Sequence, residues 1–269
     1  MSLDSYRQLC QKNNEENYLL DKLIFRKMSI FVTILFLKLG ITANQATFLS
    51  LIASLASLYF LTLNSRTALI TAASLIFTYY ILDHVDGELA RYAIKTGQSK
   101  PNLKGHYFDV LIHRYSSNLM VFFMSLSIYK QYGYSWAVLL GFIGCIGISS
   151  FPNVVAAQII AGKIARDKEA VFTDPALVKV LAELEKKQLQ IQAVHHGSLF
   201  DRLLKLLIES LFFPGHIILL VLTLLIDAFW LGFPAFNLRC VFLVVFTLLY
   251  TVKTIMQSIV WLIKLKQIA

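Results

Sequence analysis

Six apolar stretches, each near the length that crosses a bilayer, limit what this chain can fold into more than any other feature. A membrane-spanning helix needs about 20 consecutive, predominantly apolar residues. Such runs fall at 46–63, 67–86, 107–129, 135–161, 206–230 and 238–262. Breakers or polar groups separate them at Asn64-Ser65-Arg66, Lys130-Gln131-Tyr132-Gly133 and Gly232-Phe233-Pro234. Composition points the same way: 57% of the 269 residues are hydrophobic and only 15% are charged, whereas soluble domains use about 25% charged residues. So few ionic groups cannot cover a soluble surface. The pattern predicts an all-α integral membrane protein with six transmembrane helices, rather than a soluble bundle with a large core.

Residues 18–39 mix apolar side chains with Asp21, Lys22, Arg26, Lys27 and Lys38. This suits an amphipathic helix lying in the membrane interface; the alternative, a seventh span over 28–39, is below spanning length. The expected organisation is therefore an N-terminal segment, 1–39, and a six-helix membrane domain, 40–269. Residues 1–20 are polar, so no cleavable signal peptide is expected. Cys10, Cys145 and Cys240 are widely spaced and imply neither a disulfide framework nor a zinc site.

The net charge of +9 is unevenly spread. Connections at 64–66, 130–134 and 231–239 hold few Lys or Arg, while the N-terminus, 91–104, 163–187 and the terminal Lys264 and Lys266 are basic. The positive-inside rule puts the basic side, with both termini, in the cytoplasm. The basic residues suit anionic membrane lipids; no basic stripe interleaved with stacking aromatics points to nucleic acid. The long loop 162–205 is expected to be cytoplasmic, with 175–192 as a surface helix whose leucines pack on the bundle.

Chemistry concentrates at residues 83–113. Asp83 and Asp86 are three apart, and Asp109 and His113 are four apart, so each pair shares a helical face. Two antiparallel helices would bring both pairs to the same depth. Ionisable groups in a membrane helix are costly and seldom lack a function. Three carboxylates in one place repel one another unless a cation neutralises them, and oxygen ligands of this kind suit Mg²⁺, Mn²⁺ or Ca²⁺. Gly87 leaves its helix face bare for the close approach of a ligand or helix.

The residues Asp83, Asp86, Gly87, Ala90, Arg91, Gly105 and Asp109 resemble the Asp-x-x-Asp-Gly-x-x-Ala-Arg…Gly-x-x-x-Asp-x-x-x-Asp signature of the CDP-alcohol phosphotransferases. The linker Thr96-Gly97-Gln98-Ser99 and the upstream Gly40-Ile41-Thr42-Ala43-Asn44-Gln45-Ala46-Thr47 are similar to theirs too. Two departures stand out. Thirteen residues separate Arg91 from Gly105, several more than is usual, and His113 occupies the place of the fourth aspartate.

The resemblance implies a CDP-alcohol donor whose pyrophosphate sits at a Mg²⁺ or Mn²⁺ site made by Asp83, Asp86, Asp109 and His113. It also places nucleotide or phosphate near Asp83, Gly87, Ala90, Arg91 and Gly105. The acceptor hydroxyl, on a lipid or a small alcohol, attacks the β-phosphorus; a phosphodiester forms and CMP leaves. In the family the fourth aspartate helps hold the metal and serves as the base. With its ordinary pKa of ~6.5, His113 suits general-base work, assisted by Asp109, and neutral imidazole is also a metal ligand. Family members tend to pair, so a homodimer is implied.

His216 and Lys253, polar residues in apolar runs, are further candidates for phosphate contact, and a Lys at Lys253's position also snorkels readily. Asn153 is expected to satisfy backbone groups freed at Pro152. His195-His196 has no further ligands near it in sequence. The competing classes are a small transporter using intramembrane acids, and a non-catalytic family relative that binds nucleotide or lipid.

Overall fold

Local capping chemistry sets the helix boundaries. The computed structural model describes residues 2–11, 24–100, 103–148, 151–166, 175, 177–182, 215–230 and 237–268. Helix α1 (Leu3–Cys10) starts where the Ser2 hydroxyl accepts from the Ser5 amide. Helix α2 (Arg26–Leu39) stops at Gly40, whose φ of 72° suits glycine. Thr42 and Gln45 cap each other at the start of α3 (Ala43–Leu61), a reciprocal arrangement that satisfies two orphan donors. A short turn through Asn64 (φ 53°) leads to α4 (Arg66–Lys95), whose N-cap is Ser65. That helix ends at Thr96-Gly97, where the Gln98 amide folds back to the Ala93 carbonyl at 2.8 Å.

Helix α5 (Leu103–Tyr132) returns antiparallel, and Gly133 (φ 72°) turns the chain into α6 (Ser135–Ile148) and α7 (Phe151–Arg166). Helices α8 (Gly215–Phe229) and α9 (Leu238–Ile268) complete the described bundle. No strand occurs among the described residues.

Among these residues, four segments are long and apolar enough to cross a membrane: Ala43–Leu61, Arg66–Lys95, Ser135–Ala161 and Leu238–Lys266. Gly215–Phe229 is apolar but shorter, and the expected beginning of that span, 206–214, lies outside the described residues. The expected span 107–129 falls within α5, a 30-residue helix. It stands apart from those four because Asp109, His113, Arg114, Ser116, Ser117 and Asn118 load its first half with polar groups. The residues that make α5 interesting chemically are the ones that weaken its apolar signal.

Helix α4 is central, packing closely on α1, α2, α3 and α8, while α5 packs on α3, α6 and α9. The core runs through Leu69, Ile76, Tyr79 and Tyr80 of α4, Met120 and Met124 of α5, and Leu224 and Leu243 of α8 and α9. Small residues let helices approach where no hydrophobic drive between them exists in lipid. On α6, a β-carbon on Gly141 would lie 2.0 Å from the Ser125 hydroxyl of α5, and one on Gly147 would lie 2.9 Å from Tyr250 of α9. The outer face of α9 keeps Val241, Val245, Leu248, Val252 and Ile259 exposed, as a lipid-facing surface would.

Helix α2 inverts the usual amphipathic arrangement. Its small polar residues Ser29 and Thr33 are fully buried, while Phe31, Leu35 and Leu39 are exposed. Of the expected interfacial stretch 18–39, residues 18–23 lie outside the described set. Of the expected surface helix 175–192, the piece 177–182 is helical and buries Leu177 and Val180 against Ile160. Residues 167–174, 176 and 183–205 of loop 162–205, with His195-His196, lie outside the described residues, as does Gly232-Phe233-Pro234.

A buried charge cluster closes the end of the bundle opposite residues 83–113. The Arg239 guanidinium donates to Asp227 (2.8 Å), Ser127 (2.7 Å) and Gln131 (2.6 Å). Asp227 also accepts the amides of Leu238 and Arg239 at 3.0 and 3.1 Å, capping α9 from the end of α8.

Candidate active site

Helix geometry alone puts the two ligand pairs at one level. Asp83 comes about 17 residues after the start of α4 and His113 about 19 before the end of α5, ~26 and ~28 Å of helix at ~1.5 Å per residue. A hydrocarbon core is ~30 Å thick, so the residues lie near the end of the bundle that bears the basic segments. The backbones of α4 and α5 are not among the closely packed pairs. Side chains from the two helices bridge the space between them.

Asp83, Asp109 and His113 each offer a ligand atom, and these atoms lie within 4.8 Å of one another. His113 Nε2 lies 2.6 Å from Asp83 Oδ1. The other ring nitrogen, Nδ1, is 2.7 Å from the hydroxyl of Tyr79, which is fully buried one turn before Asp83. Two carboxylates and an imidazole from antiparallel helices form a donor set that fits a divalent cation, with Mn²⁺ better matched to the nitrogen than Mg²⁺.

Asp86 stands outside that group. It is 6% exposed and accepts the Thr47 hydroxyl of α3 at 2.7 Å. The stretch around Thr42–Thr47 thus begins α3 and also orients a motif carboxylate. Gly87 is covered, since a β-carbon there would lie 3.2 Å from the Arg91 guanidinium. The room that glycine leaves is used by Arg91. Ala90 and Gly105 are half-buried, Gly105 one turn before Asp109.

Arg91 is engaged away from the carboxylate group. Its Nε donates to the Cys10 carbonyl at 2.5 Å, and Lys95 donates to the Gln8 carbonyl at 2.7 Å. Two cations of α4 therefore cap the C-terminus of α1, where carbonyls lack intrahelical partners and the helix dipole is negative. Burial, and then the Glu88 charge, push the Cys10 thiol up to about 11, so it stays protonated and packs as a small apolar group.

Glu88 is the residue that the motif reading passed over. It is 1% exposed and accepts hydrogen bonds from Gln11 (2.9 Å), Ser29 (2.7 Å) and Thr33 (2.6 Å). One carboxylate fastens α2 and the end of α1 to α4 directly beside Asp86 and Gly87. The signal available beforehand was the i, i+4 pair of Ser29 and Thr33 on an otherwise apolar helix.

The other polar candidates lie elsewhere. His216 is 4% exposed and its Nδ1 is 3.5 Å from the Tyr250 hydroxyl, while Lys253 Nζ is 4.9 Å from the Tyr250 ring centre. Asn153 accepts from the Trp261 indole at 2.7 Å. Its side-chain oxygen is thus engaged by α9.

A bundle of apolar helices carrying Asp83, Asp109 and His113 at one end defines a membrane protein with a candidate cation and phosphate centre. The model of the CDP-alcohol phosphatidyltransferase family matches residues 40–181, more than half of the chain, and every motif residue above lies within that stretch. The chain belongs to this family. Its members are transferases that move a phospho-alcohol group from a CDP-alcohol to an alcohol acceptor, and they are generally dependent on divalent metal. No curated protein matches the chain by sequence.

Proposed function

We propose that the protein is an integral membrane enzyme that transfers a phospho-alcohol group from a CDP-alcohol to an acceptor hydroxyl, releasing CMP, in the synthesis of a phospholipid or related phosphodiester. The observation that carries this reading is the convergence of the Asp83, Asp109 and His113 ligand atoms within 4.8 Å, in a chain of this family. In the fuller arrangement six helices span the membrane, with α2 in the interface. Both termini and the site face the cytoplasm, where the basic loops lie.

Asp83, Asp109 and His113 would hold Mg²⁺ or Mn²⁺, with Asp86 completing the set by its oxygen not bonded to Thr47. Such a cation, when bound, neutralises the donor's phosphate oxygens and stabilises the departing CMP. The acceptor oxygen attacks the β-phosphorus, the bond from that phosphorus to the CMP oxygen breaks, and the hydroxyl proton passes to the protein. Asp109 would take it, or His113 at a stage when its Nε2 is not committed to the cation. Gly105 and Ala90 keep the approach to these carboxylates free of bulk, while Gly87 accommodates the Arg91 side chain. Arg91 steadies the cytoplasmic end of α4 through α1 and adds positive potential near the phosphates.

Either the donor carries diacylglycerol and the acceptor is a small polar alcohol, or the donor carries the small alcohol and the acceptor is a lipid. A matrix of CDP-alcohols against lipid and small-alcohol acceptors, read by CMP release with Mg²⁺ or Mn²⁺, tests the proposal and selects between them. One donor–acceptor pair should give metal-dependent CMP. Nucleotide binding without turnover across the matrix would establish a non-catalytic relative, and ion flux in proteoliposomes without CMP would establish a transporter.

A further inference from the structure

His113 is held from both sides. Nε2 faces Asp83 at 2.6 Å and Nδ1 faces the Tyr79 hydroxyl at 2.7 Å. The Tyr79 ring meets the imidazole edge-on, with centroids 5.9 Å apart and planes at 86°. Tyr79 is wholly buried in the core, with the buried Ser116 beside the same phenol. The tyrosine therefore has little freedom to turn away, and its position on α4, four residues before Asp83, sets the separation between imidazole and carboxylate.

A histidine offers two nitrogens, and the hydrogen bond made by one decides which is presented to a proton or a cation. We propose that Tyr79 is a positioning residue that holds His113 by Nδ1 and so presents Nε2 to the centre formed with Asp83 and Asp109. This inference rests on the reading of that centre as a cation site. A phenol both donates and accepts, so it serves His113 in either tautomer: it donates to Nδ1 when Nε2 bears the proton shared with Asp83, and accepts from Nδ1–H when Nε2 binds a cation. A phenylalanine would fill the same space and remove the hydroxyl that meets Nδ1, together with its contact to Ser116; the His113→Asp background separates the two. Partners behind ligating histidines commonly change metal affinity by about 10–100-fold when removed.

The test uses the full-length protein in detergent with Mn²⁺ as the probe. Affinity is followed by electron paramagnetic resonance, and electron spin echo modulation detects a directly bound imidazole nitrogen. Wild type, Tyr79→Phe, His113→Asp and the double variant are compared, with a melting curve for each to establish folding. The expected result is a nitrogen signature in wild type that His113→Asp abolishes, and Mn²⁺ binding about 10-fold weaker in Tyr79→Phe. In the His113→Asp background, where no ring remains to be held, Tyr79→Phe should change Mn²⁺ affinity by less than about two-fold.

An unchanged affinity in Tyr79→Phe, or an equal loss in both backgrounds, overturns the proposal and leaves the cation site standing. Failure of wild type to bind Mn²⁺, or binding insensitive to Asp83→Asn, overturns the cation site itself and the proposal with it.

Discussion

At the scale of single residues, the protein uses two half-buried and two buried carboxylates differently. Asp83 and Asp109 sit together with His113, whereas Glu88 is surrounded by three donors and Asp86 by one. A buried carboxylate with its donors in place is stable, and removing one side leaves the other unsatisfied. Glu88→Ala would strand Gln11, Ser29 and Thr33, and is expected to lower stability by about 3 kcal/mol. Thermal unfolding in detergent checks this, together with faster proteolysis at the freed α1. Thr47→Val should reduce CMP release about 10-fold by releasing Asp86, while Thr47→Ser keeps the hydroxyl and most of the rate. The motif residues were legible in the sequence because their spacing is helical and their charge is out of place in lipid. Tyr79 and Glu88 were not, and Thr47 was visible only as the end of the Gly40–Thr47 stretch, because their roles depend on which neighbour they meet. A tyrosine or threonine in an apolar run reads equally well as packing.

At the scale of helices, local chemistry at Thr42, Gln45, Ser65 and Gly97 sets the ends of α3 and α4. Both helices start before the expected runs 46–63 and 67–86, and α4 extends to Lys95. The polar faces of α2 and α5 were harder to place. The charges of residues 18–39 suited an amphipathic interfacial helix; the structure buries Ser29 and Thr33 of α2 and exposes Phe31 and Leu35. Periodicity reports that a helix has two faces without saying which one meets the bundle. The Arg239–Asp227 cluster was equally hidden, since its members come from α5, α8 and α9. Removing one member of a buried ion pair costs about 3–5 kcal/mol. Asp227→Ala and Arg239→Ala should each lower the melting temperature strongly, and the double variant should be less destabilised than their sum. Additive losses would show that the pair contributes little beyond its separate packing.

At the scale of the molecule, one end of the bundle is tied by a neutralised ion pair and the other holds the carboxylate–imidazole group with α1 and α2 clasped against it. In the proposed orientation, the basic loops put the carboxylate–imidazole end on the cytoplasmic side. In a cysteine-free background, Gln98→Cys near the site should react with a membrane-impermeant maleimide from the cytoplasmic side alone. Leu63→Cys, in the turn at the other end, should react from the opposite side alone. The reverse pattern would invert the proposed orientation while leaving the site chemistry intact.

The central claim is that Asp83, Asp109 and His113 form the cation-dependent centre of a CDP-alcohol phosphotransferase. It is tested most directly by CMP release from the purified protein and its Asp109→Asn variant, with Mn²⁺ or Mg²⁺ and with chelator. CMP release is expected to need both the metal and an acceptor hydroxyl, and to fall about 100-fold or more in Asp109→Asn while the melting curve is retained. Release that persists in chelator, or an Asp109→Asn variant as active as wild type, would contradict it.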